Sequence, residues 1–197
     1  MPLLSDRAGK TASVVVLPSS LEDPNKAAPG LLKLGVWIGC SAITTFFAAL
    51  VIAYYWRRAT PGFWDPFPLP KTLWLSTAII LASSASFEAA RRTYRRGMHD
   101  VAARLLLITA CLGGAFMVSQ FSSWRVLVEQ GAYLANNPYS SFFYLFTGLH
   151  AAHLLGGMVA MGFVLLRKTR REVIDATAHY WHFLSVLWIV LFITLST

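Results

Sequence analysis

Between Phe142 and Leu166 the chain carries no formally charged residue. That stretch is long enough to cross a hydrocarbon core, which needs about 20 apolar residues. In lipid the backbone must satisfy its own hydrogen bonds, so such a run forms a helix or joins a closed barrel. Four more runs share its character: Leu34 to Trp56, Thr72 to Ala90 with a single Glu, Leu105 to Trp124, and Ala178 to Thr197. None shows the alternation of barrel strands, so the sequence predicts an all-α integral membrane protein, a bundle of five transmembrane helices. Only 13% of residues are charged, against about 25% in ordinary globular domains.

The net charge of +8 could suggest nucleic acid, but its distribution follows topology. Arg7, Lys10, Lys26 and Lys33 lie before or at the edge of the first span. Arg91, Arg92, Arg95, Arg96 and Arg104 surround the second connection, and Arg167, Lys168, Arg170 and Arg171 fill the fourth. The opposite side receives only Arg57, Arg58, Lys71 and Arg125. The positive-inside rule therefore predicts a cytoplasmic N-terminus and a C-terminus on the far side, with the Arg91 to Arg96 cluster suited to lipid headgroups. Residues 1–30, rich in Ser, Pro and Ala, read as a flexible cytoplasmic tail, and 31–197 as the membrane domain. Cys40 and Cys111 fall in different spans and read as small apolar residues rather than a disulfide or metal pair. No GxxxxGKS/T, CxxC, CxxCH or HExxH pattern occurs, which removes nucleotide hydrolysis, thiol redox chemistry, covalent haem and zinc proteolysis.

Within the spans, small residues recur at every fourth position. Gly148, Ala152, Gly156 and Ala160 form a ridge that a neighbouring helix can approach closely, and Ala78, Ala82, Ser86 and Ala90 form a second. Ser140 and Ser141 are expected to cap the fourth helix. The proline-rich connection PGFWDPFPLP reads as a fixed turn packed by Phe63, Trp64 and Phe67. Gln120 is expected to hydrogen-bond between helices, because an unpaired amide is costly in hydrocarbon.

Glu88 is the one acidic residue inside these five runs, which by default marks a functional candidate. With Arg91 at i+3 and Arg92 at i+4 it reads instead as an interfacial ion pair. His150 and His153 stand three apart on the fourth span, and His179 and His182 three apart on the fifth, beside Trp181 and Trp188. Intramembrane histidines can ligate b-type haem or a metal. Histidines at i and i+3 of one helix cannot both be axial ligands of one haem, and no carboxylate accompanies them within these runs, so they read as buried interhelical hydrogen-bonding groups. A free-standing membrane cytochrome b is the rival reading they motivate. A transporter is a third, but the sequence shows no inverted repeat.

In order along the chain, Leu34-Gly35-Val36-Trp37-Ile38, the LASS of Leu81 to Ser84, the SSFF of Ser140 to Phe143, Thr147-Gly148-Leu149-His150-Ala151-Ala152-His153, and Tyr180-Trp181-His182-Phe183 with Trp188 resemble subunit III of the haem-copper terminal oxidases, in its five-helix bacterial form. The resemblance runs from Leu34 to the C-terminus. It implies an accessory subunit of the bacterial inner membrane with no catalytic residue, cofactor or metal of its own. Haem and copper would belong to partner subunits. The subunit would pack on catalytic subunit I, beside subunit II, with phospholipid bound in its clefts, sustaining proton uptake and protecting the catalytic subunit during turnover. Because it would not touch the electron donor, an accessory role in a quinol oxidase or nitric oxide reductase stays open at this point. Where the family carries acidic residues in the first, third and fifth helices, this chain has Ile43, Ser123 and Ser185.

Overall fold

The computed structural model describes residues 30–62, 64, 66–131, 133, 137–166 and 170–197. Residues 1–29 of the expected tail, together with Phe63, Arg167 and Lys168, lie outside them. Five helices follow one another: α1 (Leu31–Ala59), α2 (Thr72–Arg95), α3 (His99–Glu129), α4 (Pro138–Leu166) and α5 (Arg171–Ser196). Each is long and apolar enough to cross a membrane, and no strand occurs among the described residues.

Most helices extend beyond their apolar runs. Charged residues at a membrane edge leave the helical hydrogen bonds intact and reach into water, so apolarity ends before helicity does. One consequence corrects the sequence reading: α5 begins at Arg171 and takes in Glu172 and Asp175, so Glu88 is not the only carboxylate in a spanning helix. The start of α4 is a second correction. Asn137, not Ser140 or Ser141, supplies the cap: its Oδ1 accepts the Tyr139 amide at 2.8 Å, and Pro138 takes the first helical position, where a missing N–H costs nothing.

The turn from α2 to α3 is short because Gly97 adopts a left-handed φ of 82°. The amides of Gly97 and Met98 return to the carbonyls of Tyr94 and Thr93, which closes the helix end and reverses the chain. α3 packs along α2 and also against α4, while α5 packs on α1, α2 and α4. α1 is the edge helix and buries only Cys40, Phe47 and Tyr54, seven residues apart on one line.

At the end of the bundle opposite the Arg91–Arg96 cluster, aromatic rings lock the helices to the first connection. Tyr54 packs on Trp64 at 5.3 Å and Phe142 at 5.6 Å, and Phe67 packs on Tyr139 at 4.8 Å. The Tyr139 hydroxyl donates to the Leu195 carbonyl at 2.8 Å, tying the start of α4 to the end of α5. The expected packing role of Trp64 and Phe67 is met.

Candidate functional site

Trp181 and Trp188, both fully buried, sit where the helices converge. The Trp181 indole N–H donates to Ser83 Oγ of α2 at 3.2 Å, and that hydroxyl donates onward to the Thr109 carbonyl of α3 at 3.1 Å. Its ring lies against two glycines. A Cβ at Gly113 of α3 would come within 2.9 Å of the ring, and one at Gly157 of α4 within 3.3 Å. One side chain of α5 thereby touches α2, α3 and α4. Trp188 repeats the pattern two turns on, donating to Thr77 Oγ1 at 3.0 Å and packing on Phe116 at 4.9 Å and His150 at 5.2 Å.

Between α2 and α3 the contact is made by hydroxyls. Thr72 meets Ser123 at 2.7 Å and Ser76 meets Ser119 at 2.8 Å, while Ser86 donates to the Leu105 carbonyl at 3.2 Å. Small side chains let the two backbones approach, and each hydroxyl finds a partner that lipid would not offer. This face is only partly the expected ridge. Ser86 and Ala90 turn inward, but Ala78 and Ala82 are exposed.

The ridge on α4 is corrected more fully. Ala152 and Gly156 are exposed, and a Cβ at Gly148 or Gly156 would meet nothing within 4 Å. The close approach uses Gly157 instead. One residue turns the helix face by about 100°, so the small-residue pattern located a packing helix but not the packing side. Gly156→Leu should therefore leave the stability of the folded chain within about 0.5 kcal/mol of the parent, as for a surface change. Gly157→Leu should lower it, and thermal unfolding of the two variants in the same detergent compares them. Equal losses would put the ridge back in the helix interface.

Glu88 forms the expected ion pairs, with Arg91 at 2.9 Å and Arg92 at 2.8 Å. The structure adds α5 to this cluster. His182 Nε2 stands 3.5 Å from Glu88, and its Nδ1 lies 2.6 Å from Ser84 Oγ. An Nε2–H directed at the carboxylate leaves Nδ1 to accept the Ser84 hydroxyl proton. Asp175 pairs with Arg95 at 2.8 Å and reaches Arg91 at 4.0 Å. Asp175 went unnoticed because it precedes the apolar run. Its helical spacing from His179 and His182 was the available signal.

The remaining histidines do not form the expected interhelical bonds. His153, half-buried against Phe47 at 5.7 Å, donates from Nδ1 to the Leu149 carbonyl of its own helix at 2.7 Å. His179 is exposed and bonds the Asp175 carbonyl at 2.6 Å. His150 and Gln120 are fully buried, yet among the described residues neither ring nitrogen of His150 and neither amide atom of Gln120 has a partner. Among the described residues, no three His, Cys, Asp or Glu side chains are grouped so as to hold a metal ion.

A multi-pass helical membrane protein, with buried hydroxyls joining α2 to α3 and buried indoles joining α5 to α2, is what this geometry defines. A family model described as cytochrome c oxidase subunit III matches residues 22–197. A probable cytochrome c oxidase subunit 3 of Nocardia farcinica is 32% identical over 178 residues, covering 85% of this chain and 88% of that protein. A cytochrome c oxidase subunit 3 of Corynebacterium diphtheriae is 33% identical over 181 residues, with 85% and 88% covered. That of Latimeria chalumnae is 28% identical over 184 residues, covering 83% of this chain and 68% of its own length. The chain belongs to the cytochrome c oxidase subunit III family.

Proposed function

We propose that the chain is the accessory, non-redox subunit III of a cytochrome c oxidase. It would lie in the bacterial inner membrane with its N-terminus cytoplasmic. It packs on catalytic subunit I, which with its neighbours holds the haem and copper, and keeps phospholipid at that contact. The names of the relatives favour cytochrome c over quinol as the donor to the complex. Its part in proton uptake is indirect, by covering and rigidifying subunit I, and it contributes no catalytic residue.

The observation that carries the indirect role is the fate of the three positions without a carboxylate. Ser123 donates to the Ser119 carbonyl at 3.0 Å besides meeting Thr72, Ser185 donates to the Trp181 carbonyl at 3.0 Å, and Ile43 packs against the core. These are a hydroxyl that joins α3 to α2, a hydroxyl bonded within α5 and a hydrocarbon, none of which exchanges protons near neutral pH. Glu88 remains, held by two guanidinium groups at the edge of the bundle.

Glu88→Gln in the assembled oxidase should leave turnover and proton pumping near normal from neutral to alkaline pH. Its stability cost should stay below about 1 kcal/mol, as for partly exposed ion pairs. Steady-state oxygen consumption and proton release check this. A large loss of proton uptake with assembly and haem spectrum preserved would make Glu88 a proton carrier and contradict the reading.

A further inference from the structure

We propose that Gln120 of α3 and His150 of α4 hold one internal water between them, which cross-links the two helices in the middle of the bundle. The two side chains are 1% and 0% exposed, and all four of their polar atoms lack a partner among the described residues. Buried groups of this kind are almost always satisfied, by protein or by ordered water. Contacts on either side of them join α3 to α4. Gln120 lies one turn from Phe116, whose ring is 5.8 Å from His150. One turn the other way is Trp124, which donates to Thr147 Oγ1 at 3.0 Å, one turn before His150.

Neighbouring hydroxyls make their bonds elsewhere. Thr147 accepts from Trp124 and donates to the Phe143 carbonyl at 2.7 Å. Ser119 and Ser123 are occupied with α2 and with their own helix. Phe116 and Trp188 pack against the His150 ring. The amide and the imidazole make no direct bond with each other. Water brings two donors and two acceptors and can accept the amide N–H while donating to the imidazole nitrogen. A cation is disfavoured by the donor set, one imidazole and one neutral amide without a carboxylate or thiolate.

Two measurements on the whole oxidase test this. In a map of the unmodified complex sharp enough to show ordered water, density should lie about 2.7–3.2 Å from both the Gln120 amide and the His150 ring. The second follows the temperature at which the subunit leaves the complex for Gln120→Leu, His150→Phe and the double variant. Each single change strands one partner and should lower that temperature by about 2–4 °C. The double change strands nothing and should lose no more than the worse single. A direct Gln120–His150 bond, a dry contact without density, or a double loss equal to the sum of the singles would each overturn the proposal.

Discussion

Trp181→Ala is expected to cost about 3 kcal/mol of bundle stability, enough for the subunit to be largely missing from the purified oxidase. Truncating a buried tryptophan in a water-soluble core costs about 3–5 kcal/mol, part of it transfer from water and part the cavity left behind. Between helices in lipid the transfer part largely falls away and packing remains, which places the expectation at the lower end. The cavity would open on three helices at once, since the ring touches Gly113, Gly157 and, through its N–H, Ser83. Little hydrogen bonding is lost, because Ser83 keeps the Thr109 carbonyl. Subunit content of the complex, read against subunit I on a gel, is the check. Normal content at growth temperature would mean that the helices do not depend on this ring.

Gly113→Leu attacks the same junction from the other side. A Cβ there would sit 2.9 Å from Cη2 and 3.1 Å from Cζ2 of Trp181. Movement of the ring is restricted, because Gly157 of α4 stands close to its Cε3 and Cζ3. Overpacking of this kind costs about 1–3 kcal/mol, and here α3 must move away from α5, straining the serine and threonine pairs that bind α3 to α2. Gly114 is the internal control. A Cβ there meets nothing within 4 Å, so Gly114→Leu should match the parent in thermal unfolding while Gly113→Leu unfolds at a lower temperature. Equal behaviour of the two variants would contradict the packing described.

The five spans were legible because lipid imposes one requirement on every spanning segment, and charge-free length meets it visibly. The Glu88 pairs were legible because i+3 and i+4 spacing fixes them within one helix. Long-range choices were not. Whether Gly156 or Gly157 meets a partner is one residue of helix phase, and the small-residue repeat fits either. The Thr72–Ser123 and Ser76–Ser119 pairs were hidden because a serine or threonine in a helix can bond its own preceding turn, as Ser41, Thr44 and Thr45 do on α1, so its presence does not announce a neighbour. Asp175 and the cap at Asn137 lay outside the apolar runs, where the hydropathy signal stops.

An accessory role is tested by comparing the complex with and without this chain, by optical spectrum and by turnover followed over time. Unchanged haem and copper bands are expected in the complex that lacks the chain. Its turnover should begin normally and then decline faster than that of the intact complex. Loss of the bands on removing the chain, or a haem band that travels with the purified chain alone, would contradict a non-redox accessory role.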